Sequence, residues 1–75
     1  MARLPVVKPK EVLRALQTAG FYIHHQRGSH ARLSHRTRPD LHVTVPIHNK
    51  DLPEKTLRAI LRQAELSVEE FAELL

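Results

Sequence analysis

The chain has 75 residues, 41% of them apolar and 27% charged, with a net charge of +4, the balance of a globular domain rather than a disordered or fibrous chain. At this length only about 60–65% of the unfolded surface is buried on folding, so we expect a single domain over residues 1–75 with one small core. No cysteine is present, which excludes disulfides and cysteine-held zinc, and no run approaches the roughly 18–20 apolar residues of a membrane span, so the cytoplasm is the expected compartment.

In chain order, the first element is a helix over about residues 9–19. Pro9 suits a first helical turn, Val12, Leu13 and Leu16 recur at helical spacing, and Gly20 supplies the stop. From Phe21 the period changes to two, with Phe21 and Ile23 on one face and Tyr22 and His24 on the other. Gly28 marks a tight turn. Beyond it Ala31 and Leu33 face the core while His30, Arg32 and Ser34 face the other way, since successive strand side chains alternate sides. RTRPD (residues 36–40) reads as a polar turn, and LHVTVP (41–46) alternates again, with Leu41, Val43 and Val45 inward and His42 and Thr44 outward. Three short strands with tight connections form an antiparallel meander.

A second helix opens on a capping box of Asp51 as N-cap, Pro53 in the first turn and Glu54. Its stripe of Leu57, Ile60, Leu61 and Ala64 has the spacing of a buried face. Ser67 with Glu70 repeats the cap signal ahead of Val68, Phe71 and Leu75, so a short acidic helix closes the chain. The order predicts an α+β fold: a two-layer α-β-β-β-α sandwich with a short C-terminal helix, both main helices on one face of the sheet and the other face open. His30, Arg32, His42 and Thr44 then share the open face.

Charge is uneven along the chain. Residues 21–50 hold five basic and one acidic side chain and all six histidines, whereas residues 51–75 hold three basic and six acidic. A polyanion is the natural partner of the middle segment. Metal binding is disfavoured: there is no cysteine, acids are few near the histidines, and His24 and His25, as strand neighbours, are expected to point to opposite faces. A Ser29–His30 nucleophile pair is disfavoured on the same ground, and no acid is offered to orient the histidine. Ser29 reads as a turn residue. Nucleic acid fits better, because arginines on an open sheet neutralise phosphates and Tyr22 can stack on a base if it shares that face. RNA also carries its own nucleophile in the 2′-hydroxyl, so His30 with Arg27 or Arg32 is a minimal cleaving set. From residue types alone, however, a lone strand histidine is more often structural or merely exposed, and a non-catalytic RNA-binding module, of the kind that reads duplex shape, stays open as the alternative.

The runs AGF (19–21), GSH (28–30), VTVPIH (43–48), TLRAILRQA (56–64) and LSVEEF (66–71) together resemble the HicA-type toxins of toxin–antitoxin pairs, over about Lys10 to Phe71. The resemblance implies a fold like a double-stranded RNA-binding domain, cleavage of mRNA that halts translation, a HicB-type antitoxin as partner and no cofactor or metal. It makes His30, the histidine of the GSH motif, the catalytic residue, and Pro46 and His48 belong to the same pattern. With the basic face, it sets Arg27, Ser29, Arg32 and His48 as the expected substrate contacts. The chain differs from the pattern at His25, where arginine is frequent, and at Lys55 and Glu65, where glycine is common.

Overall fold

The computed structural model describes residues 3–75. The chain runs α1 (Pro9–Thr18), β1 (Phe21–Arg27), β2 (His30–His35), β3 (His42–Pro46), α2 (Glu54–Ala64) and α3 (Val68–Leu74). This is the expected α+β arrangement, compatible with the plan of a double-stranded RNA-binding domain. The strands form one antiparallel sheet in the order β1-β2-β3. α1 lies against β1 and β3, α2 against β3, and α3 against α1, so one sheet face is covered and the other is left to solvent.

Local chemistry explains most element boundaries. Pro9 fills the first turn of α1, and the Glu11 carboxylate accepts the Lys8 backbone N–H at 3.0 Å, satisfying a donor the helix itself cannot. Gly20 follows the helix with φ +103°, a conformation open to glycine and strained for other residues. The β1–β2 connection is Gly28–Ser29, with Arg27 paired to His30 across it. Gly28 has φ +57° and Ser29 is not in the positive-φ region. That pattern, glycine first with φ > 0 at that position alone, is the one a type II′ hairpin requires. The Ile47 N–H donates to the Ser29 carbonyl, tying this turn to the segment after β3.

The core takes its side chains from every element. Val12, Ala15 and Leu16 of α1, Phe21, Ala31, Leu33, Val43 and Val45 of the sheet, Leu57, Ile60, Leu61 and Ala64 of α2 and Phe71 of α3 are all buried. Among the described residues no polar or charged residue is buried, so the core is held by apolar burial and packing, worth about 25 cal/mol per Å² removed from water. The β3 edge is blunted by α2, whose Gln63 side-chain carbonyl accepts the Thr44 backbone N–H at 3.1 Å.

Three expectations are corrected. Asp51 does not cap α2: the helix begins at Glu54, its N-cap is Pro53 with φ −57° and ψ 146°, and no side chain caps it. The cause lies one residue earlier. Leu52 is buried and its N–H donates to the Val7 carbonyl at 2.8 Å, which holds the chain extended until Pro53. Ile23 keeps its inward parity opposite Leu33 but, on an edge strand, stays 36% exposed. Leu75 is 53% exposed, beyond the end of α3, and Leu74, three residues after Phe71, packs against the core instead.

Candidate functional site

The open face is set out by strand register. Opposed residues of an antiparallel pair share a face, so Tyr22, Ser34 and His42 form one row, His25, Arg32 and Thr44 a second, and Arg27, His30 and Pro46 a third. The second and third rows depend on a bulge. The β1–β2 register shifts between Ile23 and His25, leaving His24 unpaired, and an extra residue inverts the parity of everything after it. Uninterrupted alternation from Phe21 and Ile23 would send His25 and Arg27 toward the helices. The bulge brings them out beside His30.

The result is an open groove of about 430 Å³ lined by His25, Arg27, His30, Arg32 and Thr44, all exposed. A second depression of about 290 Å³, lined by His24, Arg32, Leu33, His42, Val43 and Thr44, adjoins it through Arg32 and Thr44. His24 stands on this face too, its Nδ1 3.1 Å from Ser34 Oγ. The expectation that His24 and His25 point to opposite faces is therefore corrected, since the bulge places both outward with ring centroids 6.4 Å apart. Even so, among the described residues no group of three histidine, aspartate or glutamate side chains is arranged to hold a metal ion.

Of the expected site residues, His30, Arg27 and Arg32 meet in the groove. Ser29 does not line it but stands in the turn beside it, with Oγ 3.5 Å from His30 Nδ1. This corrects the expectation that the two diverge as strand neighbours, because Ser29 belongs to the turn. With the hydroxyl beside Nδ1, Nε2 is the imidazole nitrogen turned away from the turn contact. His48 is exposed in the loop after β3, outside the groove, and its Nδ1 accepts the Lys50 backbone N–H at 3.1 Å. Tyr22 faces the open side, 40% exposed, with the Arg36 guanidinium 5.8 Å from its ring centroid, a cation–π distance.

Sequence reasoning missed His25 as a groove residue. The available signal was the run HHQR at 24–27, where apolar alternation stops while the strand continues. His35 is a different kind of histidine. It is half-buried, its Nε2 lies 2.9 Å from the Ala19 carbonyl, its Nδ1 accepts the Thr37 backbone N–H, and its ring meets Phe21 edge-on at 4.8 Å. Donation to Ala19 fixes the proton on Nε2, and the side chain clamps the end of α1 to the end of β2.

Among the described residues no helix is long and apolar enough to cross a membrane. No curated protein matches the chain. The family model for the HicA toxin of bacterial toxin–antitoxin systems matches residues 9–66 of the 75, from the first turn of α1 to just past α2, and on that match the chain belongs to the HicA toxin family, the toxin component of a system with a cognate antitoxin.

Proposed function

We propose that this toxin is a metal-independent endoribonuclease that cuts mRNA and so stops translation, acting as one domain over residues 1–75 in the cytoplasm. The observation that carries the reading is the meeting of His30 with Arg27 and Arg32 in one solvent-open groove. RNA supplies the nucleophile, its 2′-hydroxyl. His30 moves the proton, for which an imidazole is suited near neutral pH. Arg27 and Arg32 hold the phosphate and offset the charge that grows on its oxygens as the bond to the leaving oxygen breaks. Ser29 orients His30 and contacts the backbone, and His48 extends the contact along the strand. No cofactor enters, and the products carry a 2′,3′-cyclic phosphate and a 5′-hydroxyl.

The partner on this reading is a HicB-type antitoxin that covers the open sheet face, so antitoxin and RNA compete for it. The test is cleavage of single-stranded RNA by purified protein in the presence of a chelator. His30→Ala is expected to lose on the order of 10² to 10⁴ in rate while keeping the far-UV circular dichroism and RNA affinity of the parent. A variant that cuts normally overturns the assignment, and a parent that shifts RNA mobility without cutting it is a non-catalytic RNA-binding module instead.

A further inference from the structure

We propose that His25 is a second catalytic residue, the general acid that protonates the leaving 5′-oxygen while His30 acts as general base on the 2′-hydroxyl. The proposal rests on the ribonuclease reading above and adds to it the missing half of the proton transfer. Breaking an RNA chain by its own 2′-hydroxyl releases one proton at the attacking oxygen and requires one at the departing oxygen, and the two lie on opposite sides of phosphorus in an in-line displacement. One imidazole does not reach both at once. Two imidazoles flanking the phosphate do.

The groove holds two. His25 pairs with Arg32 and His30 with Arg27, so His25 and His30 are diagonal neighbours on the open face, a relation that separates Cβ atoms by about 7–8 Å or slightly less. That span admits a phosphodiester with an imidazole on each side, each within the roughly 2.6–3.2 Å reach of proton transfer. The other diagonal is Arg27 and Arg32, so cations and imidazoles alternate around the same four positions. His25 owes its place to the bulge at His24, without which it would point to the helix side.

His30 takes the base role from its neighbour in the turn. His30 Nδ1 faces the Ser29 hydroxyl. In the tautomer with the proton on Nδ1, toward that oxygen, the Nε2 lone pair is free to accept from the 2′-hydroxyl. His25 is the remaining imidazole lining the groove. In the forward step the 2′-oxygen bonds to phosphorus and its proton passes to His30 Nε2. The bond from phosphorus to the 5′-oxygen breaks, and His25 gives that oxygen its proton. The products are the cyclic phosphate and a 5′-hydroxyl, with His30 protonated and His25 neutral. Water opening the cyclic phosphate reverses both transfers. The groups around His25 are Arg32 opposite, Arg27 and His24 on its own strand and His30 across the diagonal. Among the described residues no helix covers this face, and the groove lining adds no charge beyond these.

The test compares two single-stranded substrates, ordinary RNA and one with sulfur in place of the bridging 5′-oxygen, whose thiolate leaves without a proton. On ordinary RNA, His25→Ala and His25→Arg are both expected to lose on the order of 10² to 10⁴ in kcat with little change in KM. The limb of the bell-shaped pH profile that requires a protonated group should disappear. On the sulfur substrate the His25→Ala defect should shrink to within about tenfold of the parent, while His30→Ala stays inactive on both. An equal His25→Ala defect on both substrates, or recovery by His25→Arg, makes His25 a phosphate-binding cation and overturns the proposal. Parental activity in His25→Ala overturns it as well. A parent that cuts neither substrate removes the ribonuclease reading itself, an outcome separate from any behaviour of the His25 variants.

Discussion

Gly20 and His35 illustrate how a single residue can be fixed by what stands beside it. A Cβ built on Gly20 would lie 2.7 Å from His35 Nε2, and the backbone there has φ +103°. Both close approach and conformation demand glycine, since a side chain at such a φ costs on the order of 1–3 kcal/mol before any clash is counted. Gly20→Ala should therefore displace His35 from the Ala19 carbonyl and lower the melting temperature by roughly 4–8 °C for each kcal/mol lost. The check is thermal unfolding followed by circular dichroism. An unchanged Tm would mean that neither the backbone strain at Gly20 nor the contact with His35 bears on stability. Gly28 is the contrast, with positive φ but nothing within 4 Å of an added Cβ. In the sequence Gly20 reads simply as a helix stop and His35 as a strand-end residue. Their mutual contact joins positions fifteen apart and is invisible to local pattern. His30 and Arg32 were legible because no irregularity interrupts β2, whereas the orientation of His25 and Arg27 hinges on one unpaired residue, His24, marked in the sequence by nothing more than the end of apolar alternation at HHQR.

At the scale of elements the caps divide in the same way. The Ser67–Glu70 box forms as its spacing predicts, the Glu70 N–H donating to Ser67 Oγ at 3.0 Å and the Ser67 N–H to the Glu70 carboxylate at 2.9 Å. The Asp51 box fails because a tertiary bond at Leu52 overrides it. Glu65 ends α2 in the left-handed region at φ 56°, and the Leu66 N–H returns to the Leu61 carbonyl. That is the backbone geometry glycine favours, adopted here by a glutamate. The α3 cap also has a pH signature. The hydrogen bonds from the Ser67 backbone and then its hydroxyl hold the Glu70 carboxyl below its ordinary 4.5. A carboxyl with a depressed folded-state pKa contributes stability that is fully present above the unfolded value and is lost as pH falls through the folded one. Glu70→Gln should therefore flatten part of the stability loss below about pH 4.5, leaving the share of Asp40, which its bond to Arg38 lowers as well. Ser67→Ala should cost about 1 kcal/mol at neutral pH through the lost cap. Urea midpoints measured from pH 7 to pH 3 check both, and parallel curves for Glu70→Gln and the parent would remove Glu70 from the account.

Across the whole molecule the two layers differ in electrostatic character. The open sheet face carries Arg27, Arg32 and Arg36 with His24, His25, His30 and His42, whereas the acids concentrate in residues 51–75, which hold six of the chain's eight. A polyanion meeting this molecule is drawn to the sheet and repelled by the acidic C-terminal segment, so charge selects the face before any specific contact forms. The sequence already separated these two regions, because alternation and helical stripes assign faces and the charges follow. It did not show that the arginines converge on one groove. That convergence makes a quantitative claim. Each phosphate neutralised on a single strand contributes about −0.7 to the slope of log K against log salt, so Arg27 and Arg32 together should give a slope near −1.4. Arg32→Ala should reduce its magnitude by about 0.7 and weaken binding of unrelated RNA sequences alike, since a phosphate contact positions a strand without reading its bases. Arg58 makes a useful control, because it lies on α2 within 3.5 Å of Glu54, and Arg58→Ala should leave the slope unchanged. Fluorescence anisotropy with a labelled single strand and the His30→Ala background, titrated at several salt concentrations, reads both variants without cleavage. If Arg58→Ala and Arg32→Ala lowered the slope equally, RNA would be responding to net charge alone and the open sheet face would lose its claim as the binding surface.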